Sequence, residues 1–131
     1  MMISLKNAFA IHFVVNALFS GPAVVLGLKG FLELFSGGAV TDPDAWLVHV
    51  IGVDFVKNLM IGAISYAAMS FGKAEQRAVA WIMVATLLGC AANLVVNPIG
   101  PPPPPAVIYL SSVPAAYLYA LLKGDEKTKT K

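Results

Sequence analysis

The sequence predicts an all-α fold: a bundle of four transmembrane helices in up-down order, forming one integral membrane domain over residues 1–131. Three observations predict it. Apolar stretches cover 5–28, 46–71, 79–96 and 106–122, each close to the ~20 residues a helix needs to cross a ~30 Å hydrocarbon core. Only 12% of the residues are charged and the mean hydropathy is +0.76, where a soluble domain carries about twice that charged share. The connections between the stretches are short, so no length is left for a soluble domain.

The first stretch exceeds the 7–15 residues of a signal-peptide apolar region and contains His12 and Asn16, so it reads as a retained helix. Gly21-Pro22 lies inside it. Proline lacks an N–H and crowds the carbonyl of Leu18, which predicts a kink there. Beyond it, Gly27 and Gly30 weaken a continuous helix. Two readings compete: one long bent helix, or a short interfacial helix over 31–35 between helices one and two. The glycines favour the second, with Phe31, Leu32, Leu34 and Phe35 toward lipid and Lys29 and Glu33 toward water.

Helix two is expected to open with Asp42 as its N-cap, Pro43 at the first helical position and Asp44 against the positive end of the dipole. The segment 72–77 reads as a tight basic turn that makes helices two and three antiparallel neighbours. Asn97-Pro98 ends helix three. Pro101–Pro105 is expected to adopt polyproline II, acting either as a stiff spacer or as a docking strip for a partner. In helix four, Pro114 frees the carbonyl of Leu110, and Ser111 and Ser112 stand nearby to satisfy released backbone groups. The lysine-rich tail, 123–131, is expected to fray. Small residues at contact spacing, Ala63 with Ala67 and Ala85 with Gly89, suggest close helix approach.

Charge sets the expected orientation. With alternating helices, Lys6, Lys73, Arg77, Lys123, Lys127, Lys129 and Lys131 share one side, and Lys29 stands alone on the other. The positive-inside rule then places both termini on the cytoplasmic side or its organellar equivalent. Trp46 and Trp81 fall near opposite interfaces, and Tyr109 and Tyr119 bracket helix four, as interfacial aromatics do. No basic surface beyond the tail suits nucleic acid. The expected partners are lipids, other membrane proteins or a second copy of the chain.

The polar residues inside the stretches ask for a reason, because lipid makes them expensive. His12, Asn16 and Ser20 form one stripe at i, i+4, i+8. Asp54, Lys57 and Asn58 share a face of helix two. Counted at ~1.5 Å per residue, the stripes lie level, which predicts a polar core layer extended by Asn93 and Tyr117. Structurally this is an ion pair with amide and hydroxyl partners that fixes helix register; functionally it is an ion relay or the polar end of a lipophilic-ligand pocket. A buried pair of this kind costs ~3–5 kcal/mol to break.

His12 and His49 lie ~6 Å inside opposite boundaries, too far apart to share a haem. Each alone is a candidate pigment ligand. The commoner role of a lone helical histidine is a hydrogen-bonded core residue. No His-Glu-x-x-His, Cys-x-x-Cys or carboxylate cluster offers a metal site. The one cysteine, Cys90, excludes an intramolecular disulfide and reads as a small buried hydrophobe. No motif specifies a cofactor; lipid, quinone or pigment are the ligands such an interior would take.

The run Gly52-Val-Asp-Phe-Val-Lys-Asn58, followed by Gly62, a short basic turn, an Ala/Leu-rich third helix and a fourth helix, resembles the small DoxX-like membrane proteins. The resemblance implies a four-helix membrane protein and carries no activity with it.

Negligible soluble mass, no reactive-group cluster and a rigid proline loop favour a non-enzymatic accessory or assembly subunit of a larger membrane complex. The next reading is a small enzyme or carrier for a lipophilic substrate, working through Asp54 and Lys57. A pigment-binding subunit using His12 or His49 is the third.

Overall fold

A computed structural model describes residues 3–35, 38, 42, 44–96 and 104–126; the side chains at 34, 35, 45–47, 49, 50, 94, 104, 105 and 124–126 lie outside that description. Helices α1 (Leu5–Phe35), α2 (Ala45–Ala68), α3 (Lys73–Val96) and α4 (Pro104–Glu126) account for nearly all of it, and no strand occurs among the described residues.

Ser4 caps α1: its hydroxyl accepts the Asn7 N–H at 3.2 Å and its carbonyl accepts the Ala8 N–H at 2.9 Å. The backbone stays helical through Gly21-Pro22 and leaves helical geometry at Gly27, with φ 71° and ψ 168°. That combination is open essentially only to glycine. The expected break therefore falls at Gly27, and a short helical piece over 28–35 follows. Its orientation differs from expectation, because Phe31 turns inward to line a cavity and Leu28 Cδ1 lies against Gly52 of α2. Lys29 is exposed and bridges to Asp42 at 3.8 Å.

The other helix ends also shift. Asp44, not Asp42, is the N-cap of α2, since its carbonyl accepts the Val48 N–H at 3.1 Å. Pro43 lies outside the described residues. Helix α2 stops at Ala68 in tightened i→i+3 bonds from Met69, Ser70 and Phe71. The segment expected to be a turn over 72–77 is the start of α3. Gly72 caps it by accepting the Gln76 N–H at 2.9 Å, and Glu75 sits in the first turn, where the dipole favours an acid. Gln76 is buried and its Nε2 donates to the Ala68 carbonyl at 3.0 Å, satisfying the end of α2. An apolar count that begins at Val79 misses this polar first turn.

At the other end, Pro104 and Pro105 occupy the first turn of α4, where a missing N–H costs nothing. So the proline run partly belongs to a helix, while Pro101, 102 and 103 lie outside the described residues. So does Asn97-Pro98. Helix α4 also reaches Glu126, past the expected start of the frayed tail. Within it, Ser111 donates to the Val107 carbonyl at 2.8 Å and Ser112 to the Ile108 carbonyl at 2.6 Å, one turn before the group Pro114 releases. Pro114 itself is buried.

The core fixes the topology. Ala8 and Phe9 of α1 meet Ala68 of α2, Ala80, Met83, Val84 and Leu87 of α3, and Val113, Ala116, Tyr117, Ala120 and Leu121 of α4 in one cluster. An early part of α1, the last residue of α2, the first half of α3 and the second half of α4 can share one place only if successive helices run in opposite directions. Arg77 Nη1 donates to the Leu121 carbonyl at 3.4 Å and ties α3 to α4 at this end. The basic residues Lys6, Lys73, Arg77 and Lys123 all belong to the helix turns at this end. The close helix approach expected at the small residues does not occur on these faces: Ala63, Ala67, Ala85 and Gly89 are exposed. The two helices are joined by a short turn yet touch least of all contacting pairs.

Outside, the bundle is apolar. On α2, Val53, Val56, Met60 and Ile64 face outward; Leu18, Val24 and Val25 do so on α1, Ile82 and Leu88 on α3, and Ile108 and Leu122 on α4. Among the described residues, three helices are long and apolar enough to cross a membrane, over Leu5–Glu33, Ile51–Ala68 and Ala106–Lys123. Such a surface fits a membrane protein, because water would disfavour it and lipid tails would not.

Candidate functional site

Two polar sites occupy successive levels of the bundle. The first is centred on His12, which is completely buried beside the core cluster. Its stripe on α1 places Asn16 and Ser20, also buried, one and two turns further along. Three side chains from two other helices converge on the imidazole. Tyr109 Oη lies 2.7 Å from Nε2, Tyr117 Oη 2.9 Å from Nδ1, and Ser65 Oγ 3.2 Å from Nδ1. Both tyrosine rings also pack on it, with centroids 5.7 and 5.6 Å away, and Phe9 meets Tyr117 edge-on at 5.0 Å.

Ser65 Oγ also donates to the Ile61 carbonyl at 2.9 Å. Both ring nitrogens of His12 therefore have hydroxyl partners, Nδ1 in Ser65 and Tyr117 and Nε2 in Tyr109. The oxygen of Tyr109 in turn takes a hydrogen bond from the Asn16 amide, whose Oδ1 accepts from Ser20 at 3.4 Å. The α1 stripe and α4 are thus joined in one hydrogen-bonded chain, and no buried side-chain N or O lacks a partner among the described residues.

The second site is a cavity of about 720 Å³ between the α1/α2 and α3/α4 pairs, where α2 and α3 part. Its apolar lining includes Phe19, Phe31, Ile51, Phe55, Leu87 and Leu110; its polar groups are Asn16, Ser20, Asp54, Lys57, Asn58, Thr86, Asn93 and Tyr109. On α2 the division is helical: Asp54, Lys57, Asn58 and Ile61 line the cavity while Val53, Val56 and Met60 face out. Asp54 accepts from both neighbours, its Oδ1 from Lys57 Nζ and its Oδ2 from Asn58 Nδ2 at 3.1 Å.

This arrangement differs from the expected core layer in two ways. Asp54 and Lys57 do pair, but their side chains are 56% and 51% exposed, at the cavity and not inside packed core. And Asn16 is level with Gly62, where an added Cβ would stand 2.8 Å from Asn16 Oδ1. Asp54 is eight residues, about 12 Å, further along the helix axis. The depth count assumed equal starting levels for two helices, whereas α1 begins at Leu5 and α2 ends at Ala68 with a turn beyond. The two stripes therefore meet the same cavity at different heights.

Of the remaining candidates, Tyr117 lies beside His12, and Asn93 lies on the α3 wall of the cavity. His49 belongs to α2, but its side chain is outside the described residues. His12 has both ring nitrogens engaged, so a metal-bearing pigment would have to displace Tyr109 or both Tyr117 and Ser65; the donor set does not suit that ligand. No group of three or more His, Cys, Asp or Glu side chains comes together among the described residues.

Three participants were missed from sequence. Tyr109 reads as an interfacial anchor, yet 109, 113 and 117 are spaced i, i+4, i+8, so it shares a stripe with Tyr117. Ser65 continues the inward face of α2 from Asn58 and Ile61 at i+7 and i+4. Gly62 carries no side-chain signal at all; only the approach of Asn16 reveals it. No family model, curated protein or solved structure matches the chain.

Proposed function

We propose that this chain is an integral membrane protein whose cavity binds one amphipathic, lipid-like molecule, as a carrier or small enzyme would. In this reading all four helices cross the bilayer in up-down order, the 28–35 piece lies at the outer interface, and both termini face the cytoplasmic side. The basic residues at the tightly packed end support that orientation. The single observation that carries the function is the cavity itself, about 720 Å³, with polar groups from all four helices set among aromatic and aliphatic side chains. That size and composition fall within the range of small-molecule sites.

Of the three grounds for the expected accessory-subunit role, the proline run was the one that pointed to a partner, and its residues 104 and 105 open α4. The cavity is the more specific feature, so ligand binding takes precedence. The DoxX-like resemblance is compatible with this reading and adds no substrate.

Cys90 supplies the test. It is the one cysteine, it is partly exposed, and it lines the cavity. In mild detergent, native mass spectrometry should find a small lipophilic molecule on the protein. Stripping that molecule should speed maleimide labelling of Cys90, and returning it should slow labelling again. Stoichiometric capture of another membrane protein, with Cys90 labelling indifferent to any amphiphile, would instead establish the accessory role.

A further inference from the structure

We infer that the cavity selects an amphiphile whose head is uncharged and accepts hydrogen bonds, and that the Asp54–Lys57 pair enforces this choice. The inference rests on the binding role proposed above.

The argument begins with charge. Among the cavity-lining residues, Asp54 and Lys57 are the oppositely charged side chains, and they contact each other. The second carboxylate oxygen is taken by Asn58. A carboxylate or phosphate head entering here would approach Asp54 together with Lys57. It would lose hydration without meeting a net positive field. An ammonium head would face the same cancellation with the sign reversed. A carbonyl, ester or ether head loses far less hydration on entry.

Donor direction narrows the class further. On the α1/α4 wall, the Tyr109 hydroxyl is hydrogen-bonded to His12 and the Ser20 hydroxyl donates to Asn16. That wall sends its hydrogen bonds into the protein. On α2, the Lys57 ammonium has three N–H donors, and Asp54 is its partner among the described residues. The Asn58, Thr86 and Asn93 side chains that also line the cavity can both donate and accept, whereas Lys57 only donates, so a head that accepts is the complementary one. The surrounding Phe31, Ile51 and Phe55 then suit the apolar part of the ligand.

The test compares three amphiphiles of one alkyl chain length: the methyl ester, the carboxylate and the primary ammonium. Each is titrated for protection of Cys90 against maleimide. In the unaltered protein the ester should protect at about tenfold lower concentration than either ion. Asp54→Asn leaves a net positive lining, and the carboxylate should gain about tenfold relative to the ester. Lys57→Gln leaves a net negative lining, and the ammonium should gain instead. Comparing ratios between variants removes differences in how the three partition into detergent.

The double variant Asp54→Asn with Lys57→Gln restores neutrality and should restore the preference for the ester. It and Lys57→Gln carry the test if Asp54→Asn alone does not fold. Equal protection by ester and carboxylate, with ratios unmoved in the variants, would overturn the selectivity and leave the cavity a binding site. Failure of all three to protect Cys90 would overturn the binding role as well.

Discussion

The two ends of the bundle satisfy polar side chains in opposite ways. Near the Ser4 end, His12 of α1 bonds Ser65 of α2 and Tyr109 and Tyr117 of α4, so each bond joins different helices. At the other end, Asp54, Lys57 and Asn58 bond one another within two turns of α2. Polar contacts between helices hold them together; contacts within one helix do not. The first end is accordingly dense, with Phe9, Tyr117 and Leu121 buried, and the second holds a cavity. In a bilayer, where apolar surface gains little by leaving lipid, packing and interhelical hydrogen bonds decide which helices stay together. A self-satisfied ionic group permits an open cavity where an unpaired charge would have no partner.

If this contrast is correct, removing packing at the closed end should have the largest effect. Phe9→Ala should cost about 3 kcal/mol, since it vacates a filled site against Tyr117. Phe55→Ala, on the cavity wall, should cost about 1 kcal/mol or less. Thermal unfolding in mild detergent measures both, and equal losses would erase the distinction between the ends.

His12→Leu comes next, at about 2 kcal/mol. It removes the imidazole partner of the Tyr109 and Tyr117 hydroxyls. Adding Tyr109→Phe and Tyr117→Phe should recover part of the loss, because those hydroxyls are then gone. A further loss on adding them would mean that the hydroxyls have other essential partners.

Gly27→Ala should cost about 1–2 kcal/mol if the chain keeps its break, because alanine does not accept that φ and ψ. The alternative for the chain is to straighten α1, which would withdraw Phe31 from the cavity. Faster Cys90 labelling with an unaltered closed end would report the second response. Unchanged melting and unchanged labelling together would rule out a conformational role for Gly27.

Asp54→Asn should be the smallest of the four, about 1 kcal/mol or less. A fully buried pair would lose several times that, but half-exposed side chains retain hydration when one partner is removed. A loss above about 3 kcal/mol in detergent melting would mean that the pair is sealed off and the cavity closed.

The sequence by itself determined the helical class, the number of helices and the polar residues worth following. Long apolar runs interrupted by turn residues leave little else for the backbone to do, because hydrogen bonding within a helix is local. It also determined that Gly27 weakens α1, and that His12, Asn16 and Ser20 share a face, since both are consequences of helix geometry over a few residues. Only the tertiary structure decided which stripe meets which. The vertical offset between α1 and α2, which places Asn16 beside Gly62, is a contact between helices far apart in the chain, and no periodicity contains it. That offset set Asn16 against Gly62, gave His12 to Ser65 and two tyrosines, and left Asp54 and Lys57 to pair beside a cavity. The side chains announce their chemistry locally, but burial and partnership belong to the distances between helices.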